Sequence, residues 1–191
     1  MLLCEESTVL GMRYKRYVQE GRALIAEEQQ KVYDILKELD IEYRVCRHAP
    51  LVGAEDRHVP GYHQPGLNVK NLVLKDKKTQ EIYMVVLKDD ARLDFKKYKE
   101  IAGWSKKISF ADEEDLKKYL GVSRGSCSVF SLINDREKRV RVVISEYIAK
   151  APENEKISFH PNDNTATVTI SVKDMYRFLA WTGNDVIHEG R

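Results

Sequence analysis

Short apolar runs separated by polar turns fill the middle of the chain, and this pattern constrains the fold more than any other feature. Each run spans four to six residues, a length typical of strands rather than of helices. We predict strands at residues 41–46, 71–75, 82–87, 107–110, 129–133, 140–144, 156–160 and 165–170. A chain of this kind buries its apolar residues in a sheet.

Helices are predicted between the strands, without the regular alternation of a βαβ fold. The first ends near Asp40, because apolar residues recur from Val32 at the helical spacing i, i+3, i+4 and i+7. Further helices are predicted at residues 95–102, 112–120 and 172–181. Asp112 is the expected N-cap of the middle one, and Gly121 lies where its C-cap is expected. The combination indicates the α+β class, with a mixed sheet and helices packed against it.

The chain of 191 residues is long enough for one domain and a short extension. The helical pattern sharpens at Glu27, so we assign a domain to residues 27–191 and an N-terminal helical appendage to residues 1–26. No apolar run approaches the roughly 20 residues of a membrane span, and the first residues lack the pattern of a secretory signal. The cysteines, Cys4, Cys46 and Cys127, form no CxxC pair, so we expect free thiols in a cytoplasmic protein without membrane contact.

The charge balance argues against a protein that holds nucleic acid through a strongly basic surface. Lys and Arg number 32 and Asp and Glu number 30, which gives a net charge of +2. The two signs are also interleaved along the chain, as on solvated helix faces. Contact with a nucleic acid must therefore come from a local site.

Most standard catalytic motifs are absent from the sequence. It contains no HExxH, P-loop or GxGxxG pattern, and its five histidines are too scattered to predict a metal site. We therefore expect neither a metal nor another cofactor. A nucleophile pair of Cys127 with His160 competes with the commoner arrangement, in which a cysteine is a small buried residue.

Two segments combine a turn with chemically useful groups, and each has a structural alternative. Lys70 and Asn71 lie where a glycine-containing loop enters an apolar strand, which suits an anionic or ester ligand or a lysine that simply reaches water. The run from Gly125 through Ser126 to Ser128 is a small-residue turn, which either a ligand or only the neighbouring chain approaches.

A third segment, FHPNDNTATVTIS at residues 159–171, ends a predicted strand at His160. Asn164 and Thr165 can bond their own backbone and hold the following turn rigid. This segment either lines a site or forms a structural hairpin corner.

In order, the segments KNLVLKDKK, YMVVLKDDARLD, GVSRGSCSVFSLIND and FHPNDNTATVTIS resemble the YbaK/ProX superfamily of bacterial aminoacyl-tRNA deacylases. The resemblance runs from about Lys31 to Val186 and includes a closing helix and TGNDV. It is greatest for the free-standing ProX (PrdX-like) branch, which removes alanine mischarged onto proline tRNA. It implies a mixed, mostly antiparallel sheet and no metal or cofactor. It also implies the 3′ acceptor end of an aminoacylated tRNA as partner, with prolyl-tRNA synthetase as a second candidate partner.

The resemblance implies roles for individual residues. Lys70 matches the family lysine that anchors and orients the terminal adenosine, and Asn71 shares its motif. Gly125 matches the glycine whose loop polarises the ester carbonyl and seats the attacking water, with Ser126 and Ser128 in the same loop.

The resemblance also implies an aminoacyl pocket lined by His160 and by the turn behind it, with Asn162 and Asn164. The family mechanism uses no metal and takes help from the neighbouring ribose hydroxyl of the substrate. Because an aminoacyl ester is already activated, positioning and polarisation of its carbonyl are enough for hydrolysis.

The loop at Gly125 departs from the family pattern. The family has Gly-x-x-x-Pro, whereas this chain has Val129 at the proline position and Arg124 where a proline usually precedes the glycine. The free φ of Val129 is expected to loosen the water site or to alter specificity.

Three functions compete on this basis. The first is trans-editing hydrolysis of Ala-tRNA(Pro), and the second is the same reaction on another small amino acid, serine or cysteine. The third is a non-catalytic module that binds tRNA or the synthetase, which the altered loop makes plausible.

Overall fold

The computed structural model describes residues 27–50 and 64–190. Its helices are α1 (Glu27–Glu38), α2 (Phe95–Ala102), α3 (Glu113–Leu120), α4 (Glu146–Ala149) and α5 (Val172–Thr182), with a 3₁₀ helix at Val129–Asn134. Its strands are β1 (Arg44–Arg47), β2 (Leu67–Asp76), β3 (Ile82–Lys88), β4 (Ile108–Phe110), β5 (Val140–Ile144), β6 (Lys156–Phe159), β7 (Ala166–Ser171) and β8 (Val186–His188). The appendage predicted at residues 1–26 lies outside the described residues. None of the described helices is long and apolar enough to cross a membrane.

The eight strands form one mixed sheet. Its order is β1-β7-β6-β2-β3-β5-β8, and β4 also pairs with β2. The pairs β1/β7, β7/β6, β2/β3 and β2/β4 are antiparallel, and β2/β6, β3/β5 and β5/β8 are parallel. The predicted α+β class, with a mixed, mostly antiparallel sheet, is confirmed.

The sheet separates two hydrophobic cores. The larger one collects side chains from α1, α3, α5 and the 3₁₀ helix, among them Leu36, Leu120 and Phe178. The smaller one forms around Trp104, which is almost fully buried and stacks on Tyr98 of α2. The later part of β2 is covered on both faces, since Val73 belongs to the larger core and Leu74 to the smaller one.

The helix ends follow the predicted capping signals. Asp112 accepts a hydrogen bond from the Asp115 backbone N–H at 2.9 Å, and Gly121 closes α3 with a φ of 66°. Asp94 and Gly103 bound α2 in the same way.

One predicted strand is wrong and two elements were missed. Residues 129–133 form part of a 3₁₀ helix, because the hydroxyls of Ser128 and Ser131 cap its first turn reciprocally. A short buried apolar run fits either structure, and periodicity does not separate them. The missed elements, α4 and β8, are four and three residues long.

Candidate active site

The candidate site lies at an interruption along one edge of β2. β3 pairs with the opposite edge from Val69 to Lys75. On the interrupted edge, β6 pairs with Leu67 and Asn68, and β4 pairs with residues 74–76. Within the described part of the chain, residues 69–72 have no strand beside them on this edge, and a cavity opens there.

Peptide groups of β2 point into this gap. The Asn68 carbonyl accepts a hydrogen bond from the β3 side at 3.1 Å, whereas the Val73 carbonyl accepts from Ala111 N on the other side at 2.9 Å. Successive peptide groups of a strand point to opposite edges, so Val69 and Asn71 direct their N–H and C=O groups toward the gap.

Asn71 adds a side-chain acceptor to these peptide groups. Its Oδ1 atom is buried and has no hydrogen-bond partner among the described residues. An unpaired buried acceptor costs on the order of 1–3 kcal/mol, which a donor on a ligand would recover. Lys70 lines the same cavity, and its side chain leaves the opposite face of the strand.

Gly125 borders the gap from the loop after α3. It is exposed and has a φ of 88°, a conformation that favours glycine. The Ser126 backbone N–H donates to the Ser123 carbonyl at 3.1 Å and tightens the loop. Gly125 thus brings backbone groups to the cavity without a side chain in front of them.

The loop ends in a capping box formed by Ser128 and Ser131. Ser128 Oγ accepts from Phe130 N, and Ser131 Oγ accepts from Ser128 N, each at 3.1 Å. Val129 therefore occupies the first position of the 3₁₀ helix, a position that also favours proline, and it is fully buried. The two serine bonds hold the turn that a free φ at Val129 was expected to loosen.

Ser128 also joins the Gly125 loop to His160. Its hydroxyl donates to the His160 carbonyl at 2.7 Å, and its side chain is fully buried. Ser128 was predicted to contact the substrate, but its burial and its two hydrogen bonds place it behind the cavity wall. Its hydrogen bonds connect the Gly125 loop to the backbone at His160.

His160 carries a neutral imidazole at the cavity. Its Nδ1 atom donates to the Ala166 carbonyl at 3.0 Å, which leaves Nε2 as an acceptor. Burial lowers the pKa of His160 below its ordinary value, so the ring stays neutral at neutral pH. The ring of His48 packs edge-on against it, with 5.8 Å between centroids.

Helix α1 braces the turn behind His160. The buried Gln29 donates through Nε2 to Asp163 Oδ1 at 2.8 Å and to Thr165 Oγ1 at 3.0 Å. Asn162 is buried in a left-handed conformation, with a φ of 61°, and its backbone N–H donates to the His160 carbonyl at 2.9 Å. No local sequence pattern marks Gln29 for this role, because its partners lie more than 130 residues away.

The cavity has a volume of about 450 Å³. It brings together half of the predicted site residues, Lys70, Asn71, Gly125 and His160. The other lining residues are Val69, Leu72, Val73, Phe110, Ala111, Leu116, Arg124 and Cys127. The remaining predicted residues, Ser126, Ser128, Asn162 and Asn164, lie in the loops around it and are not among the described residues that line it.

The lining combines an apolar wall with positive charge. Val73 and Leu116 are buried apolar residues, whereas Lys70 and Arg124 are cationic. None of the described residues that line the cavity is acidic. Arg124 and Phe110 were not predicted as site residues, although the position of Arg124 beside Gly125 signalled it. Such a lining suits a ligand with an anionic part and a small apolar part.

Cys127 does not have the environment of a nucleophile. Burial raises the pKa of Cys127 to about 12, with a smaller contribution from the charge of Glu113. Its thiol contacts the Ser123 carbonyl at 3.7 Å. These features fit a cavity-lining thiol that stays protonated. Among the described residues, no three His, Cys, Asp or Glu side chains lie close enough together to hold a metal ion.

A second cavity, which we call the basic groove, lies across α3 from the first. Its volume is about 380 Å³. The basic side chains that line it are Lys31, Lys117, Lys118 and Arg136. Lys31 is paired with Glu27 and Glu28, so the other three supply most of the positive charge. Helix α3 contributes to both cavities, because Leu116 lines the first cavity and Lys117 lines the basic groove.

Residues 55–178 match the family model of the aminoacyl-tRNA editing domain. The chain is 34% identical over 158 residues to the prolyl-tRNA editing protein ProX of Acetoanaerobium sticklandii, which covers 83% of this chain and 94% of that protein. It is 31% identical over 168 residues to the mouse prolyl-tRNA synthetase associated domain-containing protein 1, which covers 87% of this chain and 96% of that protein. The fold is similar to the crystal structure of a proposed trans-editing enzyme for prolyl tRNA synthetase, with a TM-score of 0.59 at 18% identity, over 87% of this chain and all of that one.

Proposed function

Since the chain belongs to the aminoacyl-tRNA editing domain family, we propose that it is a trans-editing deacylase that hydrolyses mischarged aminoacyl-tRNA. The substrate we propose is alanine esterified to proline tRNA. The observation that carries the proposal is the convergence of Lys70, Asn71, Gly125 and His160 on one cavity. The relative named ProX, a prolyl-tRNA editing protein, supports the choice of tRNA.

In the proposed reaction, water attacks the ester carbonyl carbon and the bond to the ribose oxygen breaks. The proton of the attacking water passes to the ribose oxygen, so the products are the free amino acid and an uncharged 3′ end. The backbone at Gly125 polarises the carbonyl and seats the water, while the neighbouring ribose hydroxyl of the substrate assists the proton transfer. The positively charged Lys70 anchors the terminal nucleotide through the negative charge of that nucleotide.

Two acceptors in the cavity suit the α-ammonium group of an aminoacyl ester. Asn71 Oδ1 is buried and unpaired, and His160 keeps an unprotonated Nε2. An ammonium group donates three hydrogen bonds, so it satisfies both acceptors without a proton transfer. The lowered pKa of His160 suits this accepting role better than that of a strong base.

The apolar wall of Val69, Val73 and Leu116 favours a methyl side chain over a hydroxyl. Serine would bury its hydroxyl against this wall and lose hydrogen bonds to water. One small group in such a pocket changes binding by only about 1–3 kcal/mol, so cysteine and serine remain slower substrates rather than excluded ones.

The basic groove receives phosphates of the acceptor stem in this account. Helix α3 contributes to both openings, with Leu116 in the cavity and Lys117 in the groove. A local patch of this kind is compatible with a net charge of only +2. Because phosphate contacts release counterions, binding of tRNA is expected to weaken steeply with salt.

The test is a deacylation panel with the purified protein and proline tRNA charged with alanine, serine, cysteine or proline. The expected result is the fastest release for alanine, slower release for serine and cysteine, and stable Pro-tRNA(Pro). Release of serine faster than alanine would refute the argument from the apolar wall and would leave the proposed deacylase activity standing. Tight binding of all four without release would identify a non-catalytic module instead.

A further inference from the structure

An exposed phenylalanine lines the candidate active-site cavity, and a second one packs against it. Phe110 is 55% exposed and lines the cavity, and Phe95 is 40% exposed. Their rings meet edge to face, with 6.0 Å between centroids and 86° between planes, and Phe95 makes a similar contact with the buried Trp104. The Phe110 ring is thus held from one side by a packed aromatic cluster while much of it stays in solvent.

Exposure of this size is costly without a partner. Full burial of a phenylalanine side chain stabilises a protein by about 1.5–3 kcal/mol, and Phe110 lacks much of this stabilisation because about half of its side chain is exposed. The ring lies at the end of β4, directly opposite Leu74 of β2. An exposed aromatic side chain that lines a cavity is a typical contact surface for a ligand with a flat ring.

Phe110 and Lys70 lie on the same face of the sheet. Residues directly opposite each other on paired strands share a face, so Phe110 lies on the face of Leu74. Side chains alternate along β2, which places Leu72 and Lys70 on that face as well. Four residues of a strand span roughly 13 Å, which is of the same order as the length of an aminoacylated nucleotide.

The opposite face of β2 carries the acyl-binding groups. Asn71 and Val73 alternate with Lys70 and Leu72, and Val73 belongs to the larger core. The interruption beside residues 69–72 joins the two faces within one cavity. A substrate there has its amino acid on one side of β2 and its nucleotide on the other.

We propose that Phe110, supported edge-on by Phe95, is the stacking platform for the 3′-terminal adenine of the tRNA. This inference rests on the proposed function. The cations Lys70 and Arg124 in the same cavity complement the phosphates next to that base. Aromatic side chains hold unpaired bases by stacking, worth about 1–3 kcal/mol per base, and single-stranded RNA ends are read this way.

The experiment uses the full chain and two labelled RNA probes, the tetranucleotide ACCA and the same probe with an abasic 3′ terminus. Binding is measured by fluorescence anisotropy for the native protein and for Phe110→Ala, Phe110→Trp and Trp181→Ala. Trp181 is a matched control, because it is 42% exposed and does not line the cavity. Phe110→Ala is expected to weaken binding of ACCA roughly 5- to 150-fold and leave the abasic probe unchanged. Phe110→Trp and Trp181→Ala should bind ACCA as the native protein does.

Kinetics with Ala-tRNA(Pro) give a second readout, in which Phe110→Ala raises KM by a similar factor and leaves kcat within about twofold. Equal loss for both probes would overturn the platform, because the ring would then act only on the fold. Unchanged binding of ACCA would also overturn the stacking platform. Phe95 and Phe110 would then serve as a contact surface for another part of this chain. If the native protein is a dimer and Phe110→Ala is a monomer, the result would overturn the platform, because the two phenylalanines would then contact a second copy of the chain.

The two proposals fail separately. If the native protein binds ACCA through Phe110 but releases no amino acid from any charged tRNA, the deacylase function fails and the platform stands. If it deacylates Ala-tRNA(Pro) and Phe110→Ala keeps the native KM, the platform alone is refuted.

Discussion

The substitution Gly66→Ala tests whether the junction of β2 and β6 shapes the candidate active-site cavity. It precedes β2 and has a φ of 98°. A Cβ atom built on Gly66 would lie 2.2 Å from the Lys156 carbonyl oxygen, far inside van der Waals contact. Gly66→Ala must therefore push apart the two-residue parallel pairing at Leu67 and Asn68 that bounds the gap.

Gly103 provides the matched control for the backbone cost alone. It also has a positive φ, 73°, but a Cβ atom there meets nothing within 4 Å. Gly103→Ala should cost about 1 kcal/mol through the left-handed conformation. Gly66→Ala adds about 1–3 kcal/mol for overpacking, for a total of about 2–4 kcal/mol.

The assay is thermal and urea unfolding of both variants, followed by deacylation at a temperature where both are folded. At about 2–4 °C per kcal/mol, Gly103→Ala should lower Tm by about 2–4 °C and Gly66→Ala by about 4–16 °C. Gly66→Ala should also lose deacylation, whereas Gly103→Ala should keep it. Equal shifts in Tm would refute the steric argument, and native activity in Gly66→Ala would show that the junction does not shape the site.

Three further predictions concern groups around the site. Burial lowers the pKa of His48 to about 4 from 6.5, so its unfolded form takes up a proton first as the pH falls. The free energy of unfolding therefore keeps the full contribution of the neutral His48 above about pH 6.5 and loses about 3 kcal/mol as the pH falls toward 4. Because His48→Gln removes this group, its free energy of unfolding, measured with urea, should depend less on pH. Ser128→Ala should cost about 1–3 kcal/mol and lower kcat, because it leaves Phe130 N without its cap and removes one of the two donors to the His160 carbonyl, while Ser126→Ala should leave Tm unchanged. Lys118→Glu should raise KM for Ala-tRNA(Pro) and reduce the slope of log KM against log salt by about one, and an unchanged slope would exclude the basic groove from tRNA binding.

Local signals in the sequence were enough for most of the fold. Asp112 and Gly121 marked the ends of α3, and short apolar runs bounded by polar turns marked β3 and β5. The 3₁₀ helix was assigned wrongly because the serine cap at Ser128 is indistinguishable by pattern from the polar turn before a strand.

The site was predictable only in part, because its members come together through long-range pairing. Lys70 and Gly125 stood out through turns and small residues beside strands. The gap along β2 depends on where β4 and β6 stop pairing, which no local pattern records. Phe110 was passed over because a phenylalanine that ends a short strand is usually a core residue, and only the structure places it in solvent.

The most direct test of the account is single-turnover deacylation of Ala-tRNA(Pro) by Lys70→Ala, with Lys78→Ala as control. Lys78 lies in the exposed turn between β2 and β3 and carries the same charge. Lys70→Ala is expected to lose roughly 100-fold or more of the rate, because the substrate end is no longer oriented, and Lys78→Ala is expected to keep the native rate. Native rates in a folded Lys70→Ala protein would contradict the assignment of the active site to the β2 gap.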